Sequence, residues 1–198
     1  MEALNNGYTD LPPGKLAAVV TYLEMRTPPP PALYPTMSEY ELRRVAKPDL
    51  TWYRELYRRI GEPWLWFSRL QLSDDELRAV IHHDAVDVFA LSYNEVDDGL
   101  LEFDRRHMPD IELSFFGLSP ALIGKGAGRA LLHYGLAEEW RHRPQRIWLH
   151  TCTLDHPRAL EFYCKMGFVP YKRAIEITDD PRLTGELPRD VAPDIPIL

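Results

Sequence analysis

The chain has 198 residues, of which 45% are hydrophobic, 11% are aromatic and 27% are charged. This length and composition are typical of one soluble globular domain and argue against a fibrous, a disordered or a two-domain protein. The net charge of -7, from 30 acidic and 23 basic residues, provides no general attraction to nucleic acid or to an anionic membrane. We therefore expect a small partner that is neutral or cationic.

The cysteine content and the amino-terminal sequence predict a cytoplasmic protein. The two cysteines, Cys152 and Cys164, have no CxxC spacing, so neither a disulfide framework nor a zinc cluster is indicated. The segment 1–14 lacks the positive region and the apolar core of a signal peptide. No apolar run reaches the length of about 18 residues that a membrane span needs. We expect a protein that is neither exported nor embedded in a membrane.

The amino-terminal part of the chain predicts one strand and two helices. The nearly continuous apolar run Leu16–Met25 indicates a buried strand. A stiff, proline-rich loop follows at residues 28–35, and Asp49 then caps a helix. A capping box that begins at Ser73 starts a second helix, which runs to about His83.

The middle of the chain predicts three strands, at Val86–Tyr93, Leu100–Arg106 and Ile111–Leu118. The first two are separated by a polar stretch that contains Asp98-Gly99, which is a hairpin signal.

The last part of the chain predicts two helices and two strands. The glycine segment Gly124–Gly128 leads into a helix with an apolar stripe, and the strand Arg146–Cys152 follows. A short helix begins at Pro157 and ends before Gly167, and Phe168–Ile177 supplies a last strand. The order β-α-α-β-β-β-α-β-α-β predicts an α+β fold with most strands in one mixed sheet.

The strongest local signal is the segment Gly124-Lys125-Gly126-Ala127-Gly128-Arg129. Three glycines before a helix leave successive backbone N–H groups free to point at an anion, and the helix dipole helps. A flexible surface turn is the alternative interpretation. The segment does not match GxGxxG, which needs glycine at Arg129, or GxxxxGK[ST], which needs a hydroxyl residue after Lys125.

Two segments resemble motifs of the GNAT superfamily of N-acetyltransferases. Ile123–Gly128 resembles motif A, [QR]xxGx[GA], and His156–Phe168 resembles motif B, NxxAxxxYxxxGF. Ile123 replaces the usual glutamine or arginine, and His156 replaces the usual asparagine. Two motifs at the expected separation are more specific than either alone, and the resemblance covers Ile111–Tyr171.

The resemblance implies a single GNAT domain over residues 1–198, with its core at about 15–177 and a Pro-rich tail at 178–198. Its fold is a mixed, mostly antiparallel central sheet flanked by helices in three α/β/α layers. The resemblance also implies acetyl-CoA as co-substrate, without a metal, in a V-shaped gap between the fourth and fifth predicted strands. The residues that it assigns to acetyl-CoA are Phe116, Gly117, Leu118, Gly124, Lys125, Gly126, Ala127, Gly128, Arg129, His156 and Tyr163.

The resemblance further implies transfer of an acetyl group to the amine of a small molecule or a peptide, by direct attack in a ternary complex. Tyr163 occupies the general-acid position, where a phenol protonates the departing thiolate; packing under the cofactor is the alternative role. An amine with the usual pKa of about 10.4 must first lose a proton. Glu112 is the first candidate for the base, and strand alternation predicts that it shares a face with Ser114, Phe116 and Leu118. His150 and Asp110 are the alternative bases.

Other features leave alternatives open. Trp64, Trp66 and Phe67 shape an acceptor pocket in the GNAT interpretation or pack as ordinary core residues. Cys152, at a strand end, is expected to be packed rather than nucleophilic. A non-catalytic, acyl-CoA-binding regulatory module is the alternative function. Exposed strand edges and the tail are candidate contacts of a homodimer.

Overall fold

The structure, a computed structural model, describes residues 6–30 and 39–198. The proline-rich loop predicted at 28–35 therefore lies partly outside the described residues. The strands are β1 (Lys15–Met25), β2 (Glu41–Arg44), β3 (Val86–Tyr93), β4 (Val96–Asp104), β5 (Asp110–Leu118), β6 (Arg146–Cys152) and β7 (Val169–Asp179). The α-helices are α1 (Leu50–Gly61), α2 (Asp74–Ile81), α3 (Ala127–Glu139), α4 (Ala159–Lys165) and α5 (Pro181–Thr184).

The strands of the described chain form one sheet in the order β2-β3-β4-β5-β6-β1-β7. Neighbouring strands are antiparallel except for β5 and β6, which are parallel. The predicted mixed, mostly antiparallel sheet is therefore confirmed. The short edge strand β2 was not predicted, because its four residues, ELRR, are too few and too polar to show a strand pattern.

Helices cover both faces of the sheet, so the predicted three-layer α+β fold is also confirmed. On one face, α3 and α4 pack on side chains such as Leu101 and Phe103. On the opposite face, α1 and α2 pack on Val88 and Leu100. The alternation of neighbouring residues along β4 between the two clusters follows from the period of two in a strand. Among the described residues, no helix combines the length and the apolar character needed to cross a membrane.

Strand β1 lies between β6 and β7 in the sheet, at the opposite side from β2. It pairs with β6 over Val20–Met25 and with β7 over Lys15–Glu24. Leu16 on one face and Leu23 on the other are both buried. Burial on both faces explains the nearly continuous apolar run that the sequence shows here.

The hairpin between β3 and β4 turns at Asn94-Glu95, so the turn predicted at Asp98-Gly99 is wrong. Asn94 and Glu95 have φ angles of 50° and 66°, which suit a tight hairpin turn. Gly99 lies inside β4, where a Cβ atom would come within 2.9 Å of the Cβ atom of Leu91. This glycine is therefore required by packing between strands and not by a turn.

The segment after β7, predicted as a proline-rich tail, packs against the sheet. Asp180 and Arg182 form a buried ion pair of 2.7 Å, and the guanidinium group of Arg182 also donates to the backbone carbonyl of Ile195. Leu187 is buried beside Leu16 and Leu65. These contacts attach residues 180–195 to β1 and to the loop between α1 and α2.

A buried acidic pair joins β3 to the end of α3. Asp87 and Glu139 are 3% and 0% exposed, and Arg105 lies 2.6 Å from one carboxylate and 3.3 Å from the other. Burial, and after it the charge of Asp87, raises the pKa of Glu139 to about 8. At neutral pH Glu139 therefore keeps its proton and shares it with Asp87.

His142 brings a third potential metal ligand to this pair, with the ligand atoms within 4.8 Å of one another. However, Arg105 and Arg44 both form ion pairs with Asp87. Two guanidinium groups already balance the negative charge that a metal ion would need, so the cluster is an ion-pair network.

We expect Glu139→Gln to abolish the loss of folding stability that ionisation of Glu139 causes as the pH rises. The folded-state pKa of about 8 lies above the unfolded value of about 4.3, so the native state holds the extra proton. This stabilisation is complete below the unfolded pKa and is lost as the pH rises through 8. In thermal unfolding at pH 8.5, the variant should melt higher than the wild type by about 3 °C or more, with a much smaller difference at pH 5.

The control for this experiment is Glu138→Gln, which changes the neighbouring residue, a partly exposed glutamate paired with Arg141. It should keep the pH dependence of the wild type. Equal pH dependence in Glu139→Gln and the wild type would show that Glu139 is ionised in the folded protein.

Candidate active site

Strands β5 and β6 separate shortly after they begin to pair. Their parallel pairing covers three positions and ends at Glu112 and Trp148. Beyond this point β5 continues to Leu118 and β6 to Cys152 without a mutual pairing. The V-shaped gap that the GNAT resemblance implies is present here, and it holds a cavity of about 680 Å³. Side chains from both faces of the sheet line this cavity.

A β-bulge in β5 changes which side chains face which helices. Glu102 pairs with Phe115 and the next residue of β4 pairs with Leu113, so Ser114 is an extra residue. As a result, Leu113 and Phe116 both pack on the face of α3, and Phe115 packs on the face of α1.

The bulge also separates Glu112 from its expected neighbours. Because Ile111 and Leu113 pack toward α3, Glu112 points to the α1 face, away from Phe116 and Leu118. The prediction that these three residues share a face was wrong, because it assumed regular alternation through Ser114.

The glycine loop ends at the N-terminus of α3, beside the gap. Gly124 and Gly126 both have φ angles of 82°, in the left-handed region, and Gly126 is the N-cap residue. Within the described chain, no side chain caps this helix and its first turn holds no acidic residue. Arg129 and Arg158 line the cavity and form no ion pair with a described residue. Free amides and two guanidinium groups suit a phosphate ligand.

Tyr163 lies on α4 with its ring in the core and its hydroxyl group at the cavity. It is 7% exposed, and the hydroxyl forms no hydrogen bond with another described residue. Burial, with a contribution from the charge of Asp155, raises the pKa of Tyr163 well above its usual range. The phenol therefore stays protonated and its donor is free. Beside it, Phe162 stacks on Phe116 with ring centroids 5.4 Å apart.

Trp66 spans the gap on the opposite face. Its indole N–H donates to Asp155 Oδ1 at 3.3 Å, and its ring lies 5.4 Å from that of Phe115. A Cβ atom on Gly117 would lie 3.1 Å from this indole, and one on Gly61 would lie 2.5 Å from it. The Cβ atom on Gly117 would also clash with Ile60 Cγ2. The indole therefore excludes a side chain at Gly61, and Ile60 excludes one at Gly117.

Asp155 follows β6 and is held by donors without charge. Its Oδ2 accepts from Thr151 Oγ1 at 2.7 Å and from the Cys152 backbone N–H at 2.8 Å. Burial, and after it the charge of Asp155, raises the pKa of the Cys152 thiol to about 11. The thiol is therefore uncharged at neutral pH, which is unfavourable for a nucleophile.

The three candidate bases differ in access to the cavity. His150 lines it, with its ring 5.7 Å from that of Tyr22. Glu112 is half-buried and does not line it; burial raises its pKa, although the charge of His150 acts in the opposite direction. Asp110 is bound in an ion pair of 2.8 Å with Arg146.

Most of the predicted site residues meet at this one cavity. Lys125 and Ala127 do not line it: the ammonium group of Lys125 lies 5.7 Å from the ring centre of Tyr93, and Ala127 is buried in the core. The predicted residues that line the cavity are Trp64, Trp66, Phe67, Phe116, Gly117, Leu118, Gly124, Gly126, Gly128, Arg129, His150, Cys152, His156 and Tyr163.

Several residues that line the cavity were not assigned to the site from the sequence, among them Ser114, Asp155, Arg158 and Glu176. Ser114 and Glu176 gave no local signal, because a bulge and a lining position both depend on a partner strand. Asp155 had one signal, its position directly before motif B. The sequence alone did not show that its carboxylate turns back to the end of β6.

The sequence model of the family described as Acetyltransferase (GNAT) family matches residues 40–168. The chain belongs to this family. Members of the GNAT family use acetyl-CoA, and the cavity of this GNAT chain is consistent with acyl transfer from it. No curated protein matches the chain by sequence.

Solved structures share the fold of this GNAT chain at low sequence identity. A functionally unknown conserved protein from Staphylococcus epidermidis is 15% identical, with a TM-score of 0.59, over 84% of this chain and 63% of that chain. An aminoglycoside acetyltransferase from an uncultured soil metagenomic sample is 14% identical, with a TM-score of 0.55, over 65% and 88%. A GCN5-related N-acetyltransferase from Sphaerobacter thermophilus is 15% identical, with a TM-score of 0.57, over 85% and 52%. The chain thus spans less than two thirds of the first and third of these proteins.

We expect the thiol of Cys152 to react slowly with the disulfide reagent DTNB. With a pKa of about 11, only about one thiol in a thousand is ionised at pH 8. Cys164→Ser leaves only Cys152, and Cys152→Ser leaves only the exposed Cys164. The first variant should react at least about 10-fold more slowly than the second. Equal rates would mean that the Cys152 thiol is neither buried nor raised in pKa.

Proposed function

We propose that this GNAT chain transfers an acetyl group from acetyl-CoA to the nitrogen of an amine, by direct attack in a ternary complex. The observation that carries this proposal is the cavity through the gap between β5 and β6. It connects the uncapped N-terminus of α3 on one face with an aromatic wall on the other. A thioester and an amine can therefore enter from opposite faces and meet between the strands.

The residues on the α3 face fit acetyl-CoA. We assign the pyrophosphate to the free backbone amides of Gly124–Arg129, including that of Ala127, with the side chains of Arg129 and Arg158 as counter-charges. The Lys125 backbone N–H already donates to the carbonyl oxygen of Leu122 at 3.3 Å. Most of these contacts come from the main chain, so Ile123 can replace the polar residue of motif A. The pantetheine arm would pair with the free backbone edge at Phe116–Leu118.

His156 fits the position of the motif B asparagine. Its Nδ1 accepts a hydrogen bond of 3.1 Å from the backbone N–H of Arg158. An asparagine side chain could accept the same bond, so the histidine preserves the turn that leads into α4.

Tyr163 is the proposed general acid. When the amine attacks the thioester carbon, the carbon–sulfur bond breaks and the sulfur leaves with the electron pair. The phenol proton can then pass to this thiolate, because the hydroxyl group is free of other partners and faces the cavity.

Glu112 and His150 are the proposed route for the proton that the amine loses. His150 reaches the cavity, whereas Glu112 lies behind the lining. Glu112 therefore works through the His150 ring or through water, and its carboxylate balances the positive charge that forms on the histidine.

Tyr163→Phe should lower kcat by about 100-fold, because it removes the proton donor and little else. Its affinity for acetyl-CoA, measured by the rise of Tm with ligand, should match that of the wild type. Thiol release from acetyl-CoA in the presence of an amine measures turnover. Acetyl-CoA that raises Tm but releases no thiol with any amine would favour the alternative, a regulatory module that only binds acyl-CoA.

Glu112→Gln should lower kcat by about 10- to 100-fold and change the acidic limb of the pH profile. In the wild type, kcat/KM should rise with pH as the base loses its proton. Because burial raises the pKa of Glu112, this carboxyl should ionise at a higher pH than an ordinary glutamate. The control is Glu41→Gln on the edge strand β2, which should keep the wild-type profile. A Glu112→Gln profile identical to that of the wild type would remove Glu112 from the proton path.

The homodimer and the cytoplasmic location stay predictions. The surface that a dimer would use is the outer edge of β7, which has no strand partner in the described chain. Ile175 and Ile177 on this strand are 52% and 58% exposed.

A further inference from the structure

Two carboxylates line the cavity on the side where the amine would enter. Asp155 follows β6, and Glu176 lies on β7 directly opposite Ala18 of β1. Ala18 and Leu16 alternate onto one face of β1, and Leu16 packs against Leu65 of the loop between α1 and α2. Glu176 is therefore on the α1 face, because directly paired residues of neighbouring strands project to the same side.

No described lysine or arginine forms an ion pair with either carboxylate. The three hydrogen bonds to Asp155 come from uncharged donors, namely the Thr151 hydroxyl, a backbone N–H and the Trp66 indole. The thiol of Cys152 is influenced by both carboxylates, since the charges of Asp155 and Glu176 each contribute to its raised pKa. Two uncompensated negative charges thus act on one part of the cavity, where they attract a cation and repel an anion.

Aromatic rings line the cavity beside these charges. Trp64, Trp66 and Phe67 are half-buried and line the cavity together with Tyr57 and Phe115. The faces of such rings carry partial negative charge, which attracts organic cations and is unfavourable for a carboxylate.

The positive charges of the cavity lie elsewhere. Its arginine and lysine residues are Arg129 on α3, Arg158 before α4 and Lys165 on α4. Lys165 is paired with Glu161 at 2.6 Å, and the two arginines flank the proposed phosphate site. A carboxylate on the acceptor would therefore find no described lysine or arginine on the α1 face of the cavity.

We propose that the acceptor is an organic cation that carries no carboxylate, and that Asp155 and Glu176 select it. The two carboxylates attract the positive charge of the acceptor and repel the carboxylate of an amino acid. The proposal rests on the proposed function, because it names the class of amine in that reaction.

The test compares amines with the amino acids that differ from them by one carboxylate. Thiol release from acetyl-CoA gives kcat/KM for tyramine against tyrosine and for cadaverine against lysine. We expect each amine to exceed its amino acid by at least about 10-fold, mainly through a lower acceptor KM. Glu176→Gln, which changes an exposed strand residue, should reduce both ratios while the KM for acetyl-CoA stays the same.

Asp155→Asn should reduce the amine-to-amino-acid ratios of kcat/KM further, because the charge of Asp155 also acts on Tyr163, the proposed general acid. The matched control is Asp179→Asn, which removes one charge from the same strand as Glu176 but does not line the cavity. This control should keep the wild-type ratios. If Asp155→Asn does not fold, Glu176→Gln alone decides the outcome.

The outcomes separate this proposal from the proposed function. Equal kcat/KM for amine and amino acid would overturn the selection by charge and leave the acetyltransferase function standing. Ratios that survive in Glu176→Gln would overturn the assignment of that residue. If acetyl-CoA raises Tm but neither tyramine nor cadaverine releases thiol, the cationic acceptor is overturned. If acetyl-CoA neither raises Tm nor releases thiol, the proposed function itself fails.

Discussion

The backbone edges of β5 and β6 face each other across the gap without hydrogen-bonding, and the rest of the site depends on this separation. Pairing ends at Glu112 and Trp148, and on the far side β6 is held by its antiparallel partner β1. With β6 fixed from behind, the bulge at Ser114 can redirect β5 without dissolving the sheet. The free edge of β5 is then available to a ligand whose own amides need partners.

The indole of Trp66 partly closes the gap between β5 and β6 on the α1 face. It reaches from Gly117 on β5 to Asp155 after β6, so one side chain contacts both separated strands. The indole excludes a Cβ atom at Gly61, and Ile60 Cγ2 excludes one at Gly117. Aromatic rings thus line the α1 face of the cavity, and the glycine loop lies on the α3 face.

The sequence could predict the features that local patterns determine. The glycines before α3 and the tyrosine of α4 follow from local motifs, the GNAT resemblance implied the gap between the two strands, and these features meet at the cavity. The position of β1 beside β7 could not be predicted from the sequence, because strand order depends on long-range pairing. The same is true of Ser114, whose bulge reversed the predicted direction of Glu112, and of Gly99, whose role is set by Leu91 on the next strand.

Asp155 connects the two halves of the proposed reaction. Burial, and after it the charge of Asp155, raises the pKa of Tyr163, so the proposed general acid still carries its proton when a thiolate forms beside it. The same charge, held by Thr151 and Trp66 without a cationic partner, is placed to attract the amine. An arginine partner for Asp155 would neutralise this charge and repel a cationic acceptor. The neutral hydrogen bonds around this carboxylate thus fix its position and leave its charge free to act on both.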